Sequence, residues 1–222
     1  MMTNLFSTFD PSTSINYSMN WMSTFIVMML MPYNYWIMNS RQSMMIKMMM
    51  MKIHEEMKTL LKKSKGMTIM MVSVFMFIII NNMMGLLPYV FTSSSHLVFS
   101  LTLSLPLWLS IMMFGWIQKT QDMFSHLIPN GTPTVLMPFM VCIETISNII
   151  RPGSLAVRLT ANMIAGHLLM SLLGNNTSNS TNIMLMMLII IQMSLMMFEL
   201  AVAIIQAYVF TILTTLYSSE VN

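Results

Sequence analysis

Long apolar runs separated by short polar segments divide the chain into pieces of membrane length. A helix needs about 20 mostly apolar residues to cross a hydrocarbon layer roughly 30 Å thick. The pattern therefore predicts an all-α integral membrane protein, a single membrane domain with about five membrane helices. The predicted spans are residues 18–38, 67–91, 97–118, 134–173 and 183–217.

The last two apolar runs are expected to form an antiparallel hairpin. Polar residues at 174–182 join the two runs, and prolines and a glycine within 129–138 mark a loop that leads into the first of them. Each run is longer than a perpendicular crossing requires, so we expect both helices of the hairpin to be steeply tilted.

Residues 41–66 have a different character, because they hold seven of the ten lysines and arginines of the chain. Lysines 47, 58, 62 and 65 recur at helical spacing among Met and Leu, which predicts an amphipathic helix in the membrane interface. Membrane spans flank this segment, and that context argues against binding of nucleic acid. Basic flanks favour the side from which a membrane protein is inserted.

Composition supports a membrane protein and excludes a soluble monomeric domain. Charged residues make up 8% of the chain, against about 25% in soluble domains. Hydrophobic residues make up 56%, and the mean hydropathy is +0.71. The single cysteine, Cys142, excludes an intramolecular disulfide. Because the first twenty residues contain no Lys or Arg and no cleavage pattern, we expect no cleaved signal peptide.

The 34 methionines are the least usual feature of the composition. Met replaces Leu or Ile on a lipid-facing helix at little cost, but packing alone does not call for so many. Animal mitochondria read one isoleucine codon as methionine, so the count favours a protein made inside the mitochondrion. The predicted location is the mitochondrial inner membrane, with the basic segment in the matrix and the amino terminus towards the intermembrane space.

Four charged residues lie inside the predicted hairpin, where each costs at least about 2.5–3.5 kcal/mol at mid-membrane. Residues seven apart share a helix face, because seven residues make nearly two turns. The first helix carries one polar stripe and the second carries another. Their members are Glu144, Asn148, Arg151, Arg158 and Asn162, and then Gln192, Glu199 and Gln206. Such stripes are typical of ion paths.

Simpler interpretations of the same residues stay open at this point. An arginine beside a glutamate can be a charge pair that only holds two helices together. His167 can be a hydrogen-bonded core histidine, and Gln192 an interhelical hydrogen bond. Pro152 and Gly153 interrupt the first stripe, so a kink there would change the phase between Glu144 and Arg158.

The most specific motif is ETISNIIRPGSLAVRLTANMIAGHLLM at residues 144–170, which closely resembles subunit a of mitochondrial ATP synthases. Further similarity lies in NNMMGLLPYVFTSSSHL, in the Gly-Thr-Pro loop at 131–133 and in ELAVAIIQAYVFTIL. The first sixty residues match more weakly, through NLFSTFDPST and the basic segment. The resemblance implies a proton-translocating stator subunit with two offset half-channels against a ring of c subunits.

Site residues follow from this resemblance only where the motifs match. Arg158 matches the arginine that faces the ring, Asn162 is its polar neighbour, and Gln206 is a glutamine near the arginine. His167 and Glu199 resemble groups of the half-channel from the intermembrane space. Glu144 and the terminal Glu220 resemble acids of the matrix half-channel.

The implied partners are the c-subunit ring, other stator and membrane-sector subunits, and the lipid bilayer, with protons as the transported ion. The chain shows no phosphate-binding loop, so no cofactor and no nucleotide site of its own is expected, and ATP chemistry is assigned to other subunits.

Two other classes compete with this interpretation. A secondary transporter or ion channel would often show two similar halves, which are not visible here. A membrane anchor of a redox complex would need histidines that face one another across helices, and the four in this chain are scattered.

In an antiparallel hairpin, residues at equal depth have numbers with a constant sum. The pairs 158 with 206, 167 with 199 and 144 with 220 are all centred near position 182 or 183, whereas the polar loop is centred nearer 178. The sequence leaves this offset of roughly one or two helical turns unexplained.

Overall fold

The computed structural model describes residues 5–14, 17–32, 37–61, 66–128, 133–178 and 180–221. Within these ranges the chain forms helices and connecting loops and no strand. The predicted all-α class is confirmed.

Seven α-helices occur in the described part of the chain. They are α1 Ile26–Leu30, α2 Arg41–Leu60, α3 Met67–Gly85, α4 Leu97–Gln118, α5 Thr120–His126, α6 Met137–Thr177 and α7 Asn182–Val221. Short 3₁₀ helices cover Leu5–Phe9, Met19–Phe25, Ser93–Ser95 and Thr134–Leu136.

Four of these helices, α3, α4, α6 and α7, are long and apolar enough to cross a membrane, counting only the described residues. A shorter apolar stretch, Met19–Leu30, lies where the first span was predicted. Residues 33–36 of that predicted span lie outside the described ranges, and so do residues 62–65 of the basic segment and 129–132 of the loop.

Helix α2 is the described part of the basic segment. Ser40 caps its amino terminus, because its hydroxyl oxygen accepts a hydrogen bond from the Ser43 backbone N–H at 3.3 Å. Met57 is fully buried, while several other methionines of the helix are exposed. The Tyr208 hydroxyl of α7 donates a hydrogen bond to Glu56 at 3.1 Å, so α2 is connected to the hairpin. Its position in the membrane interface stays a prediction.

Helix α3 ends at Gly85, before the predicted end at residue 91. Pro88 follows closely, and proline cannot donate the hydrogen bond that a helix would need there. The chain then folds back so that Thr92 lies over Gly85. A Cβ atom on Gly85 would lie 3.1 Å from Cγ2 of Thr92. The absent side chain therefore allows this reversal.

The core lies where α3, α4, α6 and α7 meet. Its buried side chains include Phe75, Ile78, Leu107, Leu159 and Phe210. Fully buried alanines at 156, 203 and 207 let the helices approach closely, as small residues do in membrane bundles. Several buried threonines of α6 and α7 donate to carbonyls of their own helix; at residue 211, for example, the hydroxyl donates to the Ala207 carbonyl at 3.1 Å.

Helices α6 and α7 form the hairpin and contain 41 and 40 residues. At 1.5 Å per residue each is about 60 Å long, roughly twice the hydrocarbon thickness. Helix α6 is continuous through Pro152, so the stripe is not broken there. It also continues beyond the predicted end at 173. Its last carbonyls accept hydrogen bonds from Thr177 and Ser178, whose hydroxyls bond Gly174 and Asn175 at 2.7 and 2.8 Å.

Candidate functional site

A cavity of about 890 Å³ lies beside the hairpin, towards the loop that joins α6 to α7. We call this end of the hairpin the loop end, and the opposite end the open end. His167 and Asn175 of α6 and Gln192 and Glu199 of α7 line the cavity. The amino-terminal segment and residues 86–92 complete its wall. Two helices and two loops thus place polar groups around one space.

Glu199 is the buried acid of this cavity, with 8% of its surface exposed. Its Oε1 atom has no hydrogen-bond partner among the described residues. The carboxylate lies directly against Gly166, where an added Cβ atom would be 2.9 Å from Cδ and 3.0 Å from Oε1 of Glu199. A Cβ atom at position 166 would therefore force the end of the Glu199 side chain to shift from this position.

His167 follows Gly166 on α6 and lines the same cavity. Its Nε2 atom is buried and has no partner among the described residues. The ring of Phe9 meets the imidazole edge-on, with 6.3 Å between ring centroids. A fully satisfied core histidine would have both ring nitrogens hydrogen-bonded. In His167 the Nε2 nitrogen has no partner among the described residues, so it can accept or donate a further hydrogen bond.

Asp10 is a cavity residue that the sequence interpretation did not single out. The Ser12 backbone N–H donates a hydrogen bond to its carboxylate at 3.0 Å, and this bond lowers the pKa of Asp10. The side chain is therefore anionic at neutral pH and adds negative charge to the wall. The signal in the sequence was the Asp-Pro-Ser turn within NLFSTFDPST, since aspartate accepts such a bond two residues on.

Arg158 lies on α6 with its side chain exposed. It forms no ion pair or hydrogen bond with any described residue, and in particular none with Glu199. The interpretation of Arg158 and Glu199 as a structural charge pair is therefore not supported. Asn162 and Gln206 are both half-buried, and neither is hydrogen-bonded to Arg158. The guanidinium is open to a partner outside this chain.

Arg151 joins two acids at the open end. One guanidinium nitrogen is 2.9 Å from Oε2 of Glu220, and the other is 3.3 Å from Oε1 of Glu144. The ring of Tyr217 lies under the same guanidinium, 4.8 Å from Cζ to the ring centroid. Glu220 is thus held against α6 and lies within α7.

From the sequence, Arg151 was identified as an intramembrane charge, but no role was assigned to it. The signal was its spacing of seven from Glu144, which places both on one face of α6. The bridge to Glu220 was not visible, because it joins positions that only the hairpin brings together.

The three groups follow one another along α6. The ion cluster around Arg151 lies towards the open end, Arg158 is about 10 Å further along the helix, and His167 is about 13 Å beyond Arg158. A cation that pairs with none of the described residues therefore separates a polar cavity from a cluster of acids.

The register of the hairpin agrees with the residue pairs that the resemblance implies, which are centred near 182 or 183. It does not agree with the predicted centre of the polar loop near 178. Gly166 lies opposite Glu199, which places the centre between residues 182 and 183. Helix α6 ends at Thr177 and α7 begins at Asn182, so the centre of the connection moves from 178 to between 179 and 180, and about two thirds of the offset noted in the sequence remains.

Comparison with known proteins shows the family of this chain. The family model described as ATP synthase A chain matches residues 17–219. The chain is 58% identical over 224 residues to ATP synthase subunit a of Drosophila melanogaster and 60% identical over 226 residues to that of Aedes aegypti. It is 59% identical over 226 residues to that of Anopheles gambiae, and all three alignments cover 100% of both chains. This chain therefore belongs to the ATP synthase A chain family.

Proposed function

We propose that this chain is the proton-translocating stator subunit in the membrane sector of a mitochondrial ATP synthase. It forms two offset half-channels against a ring of c subunits and couples proton flow to rotation of that ring. The observation that carries the proposal is the position of Arg158. It is an exposed cation without an ion pair to any described residue, and it lies between a polar cavity on one side and an acid cluster on the other.

The entry half-channel is the cavity at the loop end. A proton from the intermembrane space passes the anionic Asp10, which raises the local concentration of cations. It then reaches Glu199 and His167, which have buried atoms free to bind it. From there the proton is transferred towards a carboxylate on a passing c subunit.

Arg158 keeps the two half-channels apart. Its permanent positive charge favours the ionised carboxylate of the ring and repels a proton that would cross directly. Once protonated, the ring carboxylate is neutral and can rotate through lipid, which a charged group would resist strongly. Asn162 and Gln206 are the neutral polar groups nearest to Arg158 along the two stripes.

The exit half-channel leads through the acids at the open end. After nearly a full turn the ring carboxylate releases its proton towards Glu144, and Glu220 is held beside that acid by Arg151. The membrane potential supplies about 2.3 kcal/mol per proton for each 100 mV. ATP itself is made on other subunits of the complex.

Replacement of Glu199 by glutamine tests the entry path. The amide keeps the shape of the side chain but cannot take up and release a proton at the same site, so proton-driven synthesis should fall about tenfold or more. Assembly should be retained. The measurement is ATP synthesis and proton flux per assembled complex, with Glu55→Gln on the exposed face of α2 as the control. Unchanged flux with Glu199→Gln would reduce this acid to a structural role.

The orientation of the chain is tested by protease protection. We expect helix α2 to lie on the matrix side, so protease added to mitoplasts with an intact inner membrane should leave it uncut. The connection at 178–181 should face the added protease and be cleaved, so it serves as the positive control. Antibodies against each segment report the fragments. Cleavage within residues 41–61 would reverse the assignment.

A further inference from the structure

Asn82 of α3 is a buried polar residue in contact with the hairpin. None of its surface is exposed. Its Nδ2 atom donates a hydrogen bond to the backbone carbonyl of Ala203 on α7 at 3.4 Å. Its Oδ1 atom is buried and has no partner among the described residues. One half of the amide thus contacts α7, and the other half is an acceptor without a donor among the described residues.

The contact lies between two polar residues of α7. Ala203 follows Glu199 by four positions and precedes Gln206 by three, so all three lie on one helix face. Glu199 and Gln206 are separated by about 10 Å along the helix. A hydrogen bond spans only about 3 Å between heavy atoms. A proton that leaves Glu199 towards the level of Arg158 therefore needs an intermediate carrier, and Asn82 lies beside this gap.

We propose that Asn82 is a positioning residue of the entry half-channel. Its amide oxygen accepts a hydrogen bond from a water molecule that carries the proton across the gap between Glu199 and Gln206. The water gains one proton from the side of Glu199 and releases another towards the ring, and Asn82 keeps all of its own hydrogens. This inference rests on the proposed function, because it extends the same entry path.

An amide is chemically suited to this position. It orients a water molecule by a hydrogen bond but does not itself ionise, so it neither traps the proton nor adds a charge that would compete with Arg158. A purely structural Asn82 would only join α3 to α7 through the bond to Ala203. The two roles differ in whether proton flux changes in complexes that have assembled.

The test compares threonine and valine at position 82. The two side chains have nearly the same shape, and only threonine carries an oxygen that can accept a hydrogen bond from water. We expect Asn82→Thr to conduct protons about tenfold or more faster than Asn82→Val. The measurement is passive proton flux through membranes that hold the complex with its catalytic head removed, divided by the amount of assembled complex on native gels. Asn81→Val, which alters the neighbouring buried amide, should conduct like the unchanged protein.

Several outcomes would overturn the inference. Equal flux per assembled complex with threonine and valine would show that the oxygen at position 82 does not matter. Failure of both variants to assemble would make Asn82 a packing residue. Glu199→Gln distinguishes the entry path from the role of Asn82 within it. If that variant loses flux while the threonine and valine variants conduct equally, the entry path stands and only the role of Asn82 falls. Normal flux with Glu199→Gln would remove the entry path itself.

Discussion

Replacement of Arg158 by alanine is expected to abolish proton-driven ATP synthesis and to open a passive proton leak in complexes that still assemble. Without the guanidinium nothing favours release of the ring proton, and the electrostatic barrier between the half-channels is gone. Because Arg158 forms no ion pair with any described residue, its removal leaves no buried acid unpaired, and assembly should persist. The measurement is proton flux and ATP synthesis in membranes with assembled complex, with and without inhibition of the ring.

Three further variants sharpen this test. Arg158→Lys should fail in coupling but leak less than the alanine variant while its ammonium stays charged, because lysine keeps the charge but lacks the planar fork. Arg151→Gln removes a cation from the same helix but from an ion-paired position, and it should not open a leak. Normal ATP synthesis by a double Arg158→Gln, Glu199→Gln variant would show that the barrier role is wrong.

Replacement of Gly166 by alanine is expected to reduce proton flux about tenfold or more in assembled complexes. The new Cβ atom would lie 2.9 Å from Cδ of Glu199, so the buried carboxylate must move out of its place in the cavity. Alanine is also the better helix former by about 1 kcal/mol, so helix α6 itself should not weaken. The measurement is ATP synthesis and passive proton flux per assembled complex.

Gly174→Ala is the matched control for this variant. Gly174 lies on the same helix and lines the same cavity, but a Cβ atom there would meet nothing within 4 Å. The Gly174→Ala variant gains the same helix propensity and should conduct protons normally. A second variant, Gly166→Ala with Glu199→Asp, shortens the acid by one methylene and should recover part of the flux. Equal behaviour of the two single alanine variants would contradict the role assigned to Gly166.

Local sequence correctly predicted that three charged residues share one face of α6, but it did not predict where that helix ends. Glu144, Arg151 and Arg158 repeat every seven positions, and helix α6 proved continuous from Met137 to Thr177, so all three lie near one face. The all-α membrane class followed from the length of the apolar runs alone. The end of α6 did not follow, because the polar residues 174–177 still belong to the helix, and hydropathy does not predict that.

For the site residues, too, local sequence predicted some features and the tertiary structure decided others. The motif around Arg158 indicated a family, and the family is shown by the match over residues 17–219. The roles of Arg158, His167 and Glu199 stay proposals that the variants above test. Nothing in the order of residues indicated that Arg151 would pair with both acids, or that Arg158 would pair with none of the described residues. That choice depends on which side chains the hairpin register brings within reach.

The sequence by itself determined the class of this protein, since a chain with so few charges and such long apolar runs is stable only in lipid as helices. Each helix bonds its own backbone within a few residues, so local composition was sufficient. Only the tertiary structure decided the contacts between distant positions, such as Asn82 with Ala203, Arg151 with Glu220 and Gly166 with Glu199. In lipid these contacts depend on close packing between helices rather than on hydrophobicity, because lipid is as apolar as the side chains themselves. A pattern of apolar positions therefore predicts that helices form, but not which faces meet.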